Sequence, residues 1–166
     1  MNFLQTVGPV QLPVGQQRTQ GVEIDVNAQP IDGWAIIGNY AYQDARYTSL
    51  AAPNTQFEGN FSAGTPLNTA SLFSTYEFQQ GALRGFGFGG GLTYRSGVYV
   101  DEANTQKVPG YVIGSLVFFY HQKNFDLQLN ISNFTDEHYF VNGIQETSGA
   151  LPGASRTFTG SVTWKF

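Results

Sequence analysis

The 166-residue sequence has no cysteine, and only 12% of its residues are charged, about half the share in ordinary soluble domains. Without cysteine there is neither a disulfide framework nor a thiolate metal site. A long hydrophobic run is missing too. The most apolar stretch, Val108 to Tyr120, is broken by a Pro, two Gly and a Ser, which excludes a spanning helix of about 20 apolar residues. Positive charge is scarce: 8 Lys and Arg against 12 Asp and Glu leave a net charge of -4, so no general affinity for nucleic acid phosphates is expected. Met1 to Gly15 lacks the basic and apolar regions of a signal peptide, so if the protein is exported its true N-terminus is expected upstream. What is present is aromatic: 14 Phe, 9 Tyr and 2 Trp, with 20 Gly. Disordered chains are poor in such residues, so a large apolar surface must be buried or placed in lipid.

The arrangement of the apolar residues is periodic. In Phe125 to Ser132, Phe125, Leu127, Leu129 and Ile131 alternate with Asp126, Gln128, Asn130 and Ser132, which is a strand with one apolar and one polar face. The same alternation runs through Val22 to Gln29 and Thr157 to Phe166. Trp34 to Tyr47, Leu67 to Phe78, Leu83 to Arg95 and Tyr111 to His121 complete seven predicted strands; the last of these is apolar on both faces, which leaves its phase open. The apolar face is expected to carry Val22, Ile24, Val26, Trp34, Ile36, Leu72, Phe88, Leu92, Leu127, Leu129, Ile131, Val162 and Trp164.

Connections alternate in length. Short turns at Pro30 to Gly33, Gln79 to Ala82 and His121 to Asn124 interleave with long polar loops at Ser49 to Pro66, Gly97 to Pro109 and Val141 to Ser155. Short turns at one end and long loops at the other are the pattern of a transmembrane β-barrel. A soluble β-sandwich also alternates, but its strands average about five or six residues, whereas these approach the length that a tilted strand needs to cross a bilayer. Aromatics also gather at strand ends, as at Tyr76/Phe78, Tyr139/Phe140 and Trp164/Phe166, where membrane interfaces would lie. The predicted class is therefore all-β, made of antiparallel transmembrane β-barrel strands in the outer membrane of a Gram-negative-type bacterium.

Four stretches then carry a family resemblance: Gln17-Arg-Thr-Gln-Gly-Val-Glu23, Val108-Pro-Gly-Tyr111, Leu127 to Tyr139 (LQLNISNFTDEHY), and Pro152-Gly-Ala-Ser-Arg-Thr-Phe158 running into Trp164-Lys-Phe166. In order and spacing they resemble the C-terminal part of a TonB-dependent outer-membrane receptor of the ferric-siderophore type, with Thr135 and Ser155 replacing more usual residues. The resemblance implies that residues 1–166 are the last seven strands of a barrel of about 22, which encloses a plug domain absent from this sequence. It further implies import of a ferric siderophore or similar chelate, energised by the TonB system through that plug, with outer-membrane lipid and the outer-membrane insertion machinery as partners. No cofactor is expected. The fragment is not expected to transport alone. The alternative is a free-standing small closed barrel of about eight strands, structural or adhesive, in which Phe3 to Val14 supplies the eighth and Glu23, Asp25, Glu77, Arg95, Asp126 and Lys165 pair inside.

Residues that could carry chemistry are few. His121 and His138 fall at opposite membrane sides, so they share no site, and no catalytic residue is expected. Glu58, Asp101-Glu102 and Asp136-Glu137 could gather a divalent cation, but loop carboxylates are ordinarily just solvated and no metal site is assigned. Gly87-Phe-Gly-Gly-Gly91 lies inside a strand, not before a helix, and is read as a bare inner face with room for a plug. Under the resemblance, ligand contact falls to Tyr47, Phe57, Phe61, Tyr99, Tyr139 and Arg156 on the long loops. The membrane-assembly signal falls to Phe158, Val162, Trp164 and Phe166.

Overall fold

Alternation of this kind keeps both faces of a strand content only at a boundary between apolar and aqueous surroundings, and the chain builds a sheet with such a boundary. The computed structural model describes residues 2–7, 9–144 and 149–166. The strands are β1 (Asn2–Val7), β2 (Val10–Ile31), β3 (Trp34–Ser49), β4 (Asn68–Glu77), β5 (Phe86–Arg95), β6 (Val98–Tyr99), β7 (Lys107–Val108), β8 (Tyr111–His121), β9 (Phe125–Ser132), β10 (Phe140–Ile144), β11 (Gly149–Pro152) and β12 (Thr157–Trp164). One antiparallel sheet has the order β1-β2-β3-β4-β5-β8-β9-β12, and β6–β7 and β10–β11 are small ribbons within the long loops.

All seven predicted strands are present, but several ends differ: β2 begins at Val10 instead of Val22, β3 runs on to Ser49 and β12 stops at Trp164. Residues Gly81–Leu83 form a 3-10 turn, so β5 begins at Phe86 instead of Leu83. Gly85 has φ +84, and its carbonyl accepts the His121 N–H at 2.8 Å, which ties the β4–β5 turn to the end of β8. The strand proposed over Phe3 to Val14 is in fact two, because β1 folds back on the start of β2 with Val7 opposite Val10. Among the described residues no ladder joins β1 or β2 to β12, so the sheet is open and is not an eight-stranded closed barrel.

Register settles the faces. Residues directly opposite one another lie on the same side of a sheet. Leu72 is opposite Leu92, Phe88 opposite Phe118, Phe118 opposite Leu129 and Leu129 opposite Gly160. All thirteen residues of the expected apolar set share one face. The ambiguous β8 falls in phase, with Val112, Leu116, Phe118 and Tyr120 on that face. The face is uncovered: Val22, Leu72 and Val162 are 58%, 58% and 70% exposed, whereas a sandwich would pack a second sheet on it. Aromatic rings rim its short-turn end, where Tyr76 meets Phe78 at 5.3 Å and Phe125 stacks on Trp164 at 6.0 Å.

The polar face holds Asp126 paired with Lys165 at 2.8 Å and His121 Nδ1 at 3.3 Å from Glu77 Oε2. Of the six charges expected to pair with one another inside, only Asp126 and Lys165 do so among the described residues. The glycine run of β5 is not the bare surface expected. A Cβ at Gly87 would enter the Phe119 ring, and one at Gly91 would enter Phe73. These rings lie across the glycines from the neighbouring strands and occupy the space that the missing side chains leave.

β2 and β3 continue past the apolar band. Beyond the Val22–Tyr42 pair the same face turns polar, with Gln20 opposite Asp44 and Arg18 opposite Arg46. This ribbon leads into the long loops.

Candidate functional site

All three long loops open at one end of the sheet. Residues 50–67 and 96–110 are latched together. Val98 pairs with Val108 and both are buried with Val100, giving the second loop a small core. At its tip Asp101 accepts hydrogen bonds from the Thr105 hydroxyl (2.6 Å), the Thr105 N–H (3.0 Å) and the Gln106 N–H (2.9 Å). Slight burial raises the Asp101 pKa, but those hydrogen bonds outweigh it and hold the carboxyl below its usual value. The turn sets Asn104 at φ 56, a conformation Asn tolerates better than most residues. Its Oδ1 accepts the Phe61 N–H at 2.8 Å and its Nδ2 donates to the Phe61 carbonyl at 2.9 Å. Asn54 Nδ2 donates to Glu102 Oε2 at 2.7 Å, and the Gly64 N–H to the Tyr99 carbonyl at 2.7 Å.

The latch brings Phe61 onto Tyr99, with ring centroids 6.0 Å apart and planes 13° from parallel. Arg46 lies over Phe61 at 4.1 Å and Lys107 over Tyr99 at 5.4 Å, both within cation–π range. Arg46 is also held by Asp44 at 2.7 Å and by the Gly59 carbonyl at 2.9 Å. The result is a stacked aromatic pair with a cation against each ring, one of which, Arg46, is also paired with Asp44.

The third loop is closed by a clamp. Asn133, 2% exposed and at φ 50, donates to the Glu137 and Ala154 carbonyls at 2.9 and 3.0 Å and accepts the Glu137 N–H at 2.9 Å. Asp136 binds the Arg156 backbone and guanidinium. The Arg156 N–H is the main cause of a lowered Asp136 pKa, with the Arg156 and His138 charges adding to it against a smaller desolvation effect. Tyr139 covers Gly153, whose N–H donates to the Tyr139 carbonyl at 2.8 Å. Two of the stretches picked out in the sequence, 127–139 and 152–158, are thus the two halves of one structural device.

Of the six loop residues singled out in the sequence, Phe61 and Tyr99 come together. Tyr47 lies beside them but is 5% exposed, its hydroxyl accepting the Ala63 N–H at 3.0 Å. Phe57 ends a 3-10 turn, Asn54–Phe57, in the first loop. Tyr139 and Arg156 belong to the clamp; the Tyr139 ring is 4.3 Å from that of Tyr111. Sequence reasoning missed Arg46, Asn104 and Lys107. Arg95, expected from the sequence to pair with an inward charge, instead reaches the Val141 carbonyl and, at 3.1 Å, the Gly64 carbonyl, joining the first and third loops. Isolated polar residues in loops give no signal of their partners across the fold. Phe158, Val162 and Trp164 stand on the uncovered apolar face, and Phe166 follows β12. His121 and His138 lie at opposite ends of the sheet, and no cluster of three or more metal-binding side chains occurs among the described residues.

Comparison with known proteins bears on this arrangement. Residues 2–134 match the family model described as TonB dependent receptor-like, beta-barrel. The chain is 32% identical to the ferrioxamine B receptor of Salmonella typhimurium over 158 residues, covering 92% of this chain and 22% of that protein. It is likewise 32% identical to the ferrichrome outer membrane transporter/phage receptor of Escherichia coli, covering 92% of this chain and 20% of that one. The solved structure of the siderophore receptor PiuA from Acinetobacter baumannii superposes with a TM-score of 0.82 at 30% identity, covering 99% of this chain and 24% of the other. The chain thus spans about a fifth of the length of the curated relatives it matches.

Proposed function

Because the chain belongs to the TonB-dependent receptor β-barrel family, we propose that it is the C-terminal barrel wall of an outer-membrane receptor that imports a ferric siderophore or a similar metal chelate. The observation that carries this reading is the 32% identity to the ferrioxamine B receptor over 92% of the chain. The uncovered apolar face meets outer-membrane lipid, the polar face lines the lumen, the short turns face the periplasm and the long loops face outward. Energy comes from the TonB system through a plug domain in the lumen. The wall has no catalytic role.

Within that reading the loop end receives the chelate. Phe61 and Tyr99 supply flat contact, Phe57 and Tyr139 further aromatic surface on the loops, and Lys107 positive charge for an anionic complex, while Arg46 and Arg156 are shared with Asp44 and Asp136. The aromatic pattern at Phe158, Val162, Trp164 and Phe166 is presented to the outer-membrane insertion machinery while the β12 edge is still unpaired.

The test is uptake of radioactive iron by cells whose only siderophore receptor is the full-length protein containing these residues. Uptake of at least one ferric siderophore, abolished by deleting TonB, is expected. A receptor that reaches the outer membrane yet transports no chelate in a broad panel overturns the assignment.

A further inference from the structure

The outer wall carries a second, unassigned feature at its short-turn end. Gly160 has open space where a side chain would stand. Around that gap Phe86, Phe118, Tyr120, Leu127, Leu129 and Val162 line an apolar groove of about 360 Å³. Tyr120 also borders a polar cavity of about 610 Å³ in the gap between the β4–β5 and β8–β9 turns. Glu77, Arg84, His121 and Lys123 also line that cavity. Glu77 and His121 engage each other. Arg84 and Lys123 have no acidic partner among the described residues, although Asp126 nearby is taken by Lys165.

We propose that this groove and cavity together form a binding site for an anionic phospholipid of the periplasmic leaflet. One acyl chain lies in the Gly160 groove, and the phosphate headgroup sits between Arg84 and Lys123. The inference rests on the membrane orientation given above and adds to it a specific occupant. Three observations converge. The apolar groove is on the face that meets lipid. It opens at the aromatic rim, the height of the headgroups. There Tyr120 borders both the groove and the cavity, whose two cations, Arg84 and Lys123, outnumber its one carboxylate, Glu77, and basic pockets at such depth favour anionic headgroups. Free phosphate would use the cations but not the groove, which is the basis for telling the two apart.

The experiment is native mass spectrometry of the purified full-length receptor, titrated with phosphatidylglycerol or with phosphatidylcholine of the same chains. The wild type should retain phosphatidylglycerol preferentially. R84Q/K123Q should lose about twenty-fivefold in that preference, taking about fivefold per cation. Gly160→Leu, which fills the groove from the lipid side, should weaken retention of both lipids. Both changes fall on exposed positions, and the single variants R84Q and K123Q should each show about a fivefold loss. Retention unchanged in R84Q/K123Q overturns the proposal. So does displacement of the lipid by inorganic phosphate with no effect of Gly160→Leu, since that is an anion site only. If instead the wild-type receptor fails to insert into vesicles of either lipid, the membrane reading itself has failed.

Discussion

Arg156 donates its backbone N–H to Asp136 Oδ1 at 3.0 Å and its Nη2 to Oδ2 of the same carboxylate at 3.1 Å. The last residue before β12 is therefore held to the loop that leaves β9, one residue above the Thr157–Ser132 pair that begins the ladder. With Asn133 on Ala154, the clamp sets where β12 starts. In a sheet with one apolar face, a slip of one residue would turn every side chain of that strand to the wrong side.

Asn133→Ala should accordingly destabilise the receptor by about 3 kcal/mol, from three hydrogen bonds at about 1 kcal/mol each, with a further cost for alanine at positive φ. Asp136→Asn keeps one acceptor and should have a smaller effect. Denaturant titration of the heat-modifiable folded form in detergent measures both. Equal stability of Asn133→Ala and wild type would show that the clamp does not hold the register.

Leu129→Arg should cost about 2–4 kcal/mol by placing a charge on the lipid face, whereas Asn130→Arg, one residue on and facing the other way, should be tolerated. The yield of folded receptor in outer-membrane fractions is the readout. Comparable loss at both positions would contradict the assignment of faces.

The latch at Asp101 has a defined pH window. Its folded pKa is lowered from 3.8, so the stabilisation is complete above about that pH and is lost as pH falls through the still lower folded value. A spin label on Ala103→Cys should therefore show the same restricted motion at pH 7 and pH 5 and gain mobility only below about pH 3.8. Asp101→Asn should be mobile already at pH 7. A transition near neutrality would place the control elsewhere.

Deleting Phe166 from the receptor should reduce assembly and leave unfolded chains in the periplasm, if the β12 pattern is read by the insertion machinery. An ordinary anchoring role predicts normal amounts of heat-modifiable protein. Quantifying that form in outer-membrane fractions decides between them.

Much of the wall was legible because its chemistry is local. In β9 each side chain meets either an apolar or a polar environment, so Phe125 to Ser132 alternates without error. The phase of β8 was hidden because Val117 and Phe119 face inward opposite Gly89 and Gly87, where missing side chains admit large ones; that pairing is long-range. Residues 15–21 of β2 were overlooked because both faces of the strand are polar there, and no apolar alternation survives. Loop partners were the least visible. Nothing in the order of residues indicates that Arg46 sits on Phe61 or that Asn104 reads the Phe61 backbone, because each pairing exists only once two loops meet.

The clamp also separates two histories that could otherwise constrain each other. Since Asn133, Asp136 and Tyr139 seize Ala154, Arg156 and Gly153 directly, the path between Tyr139 and Gly153 is tied off at its base, and apart from the Arg95 bond to the Val141 carbonyl the β9–β12 register is set below it. Sequence change within residues 145–148 can therefore alter this loop without disturbing how β9 and β12 pair.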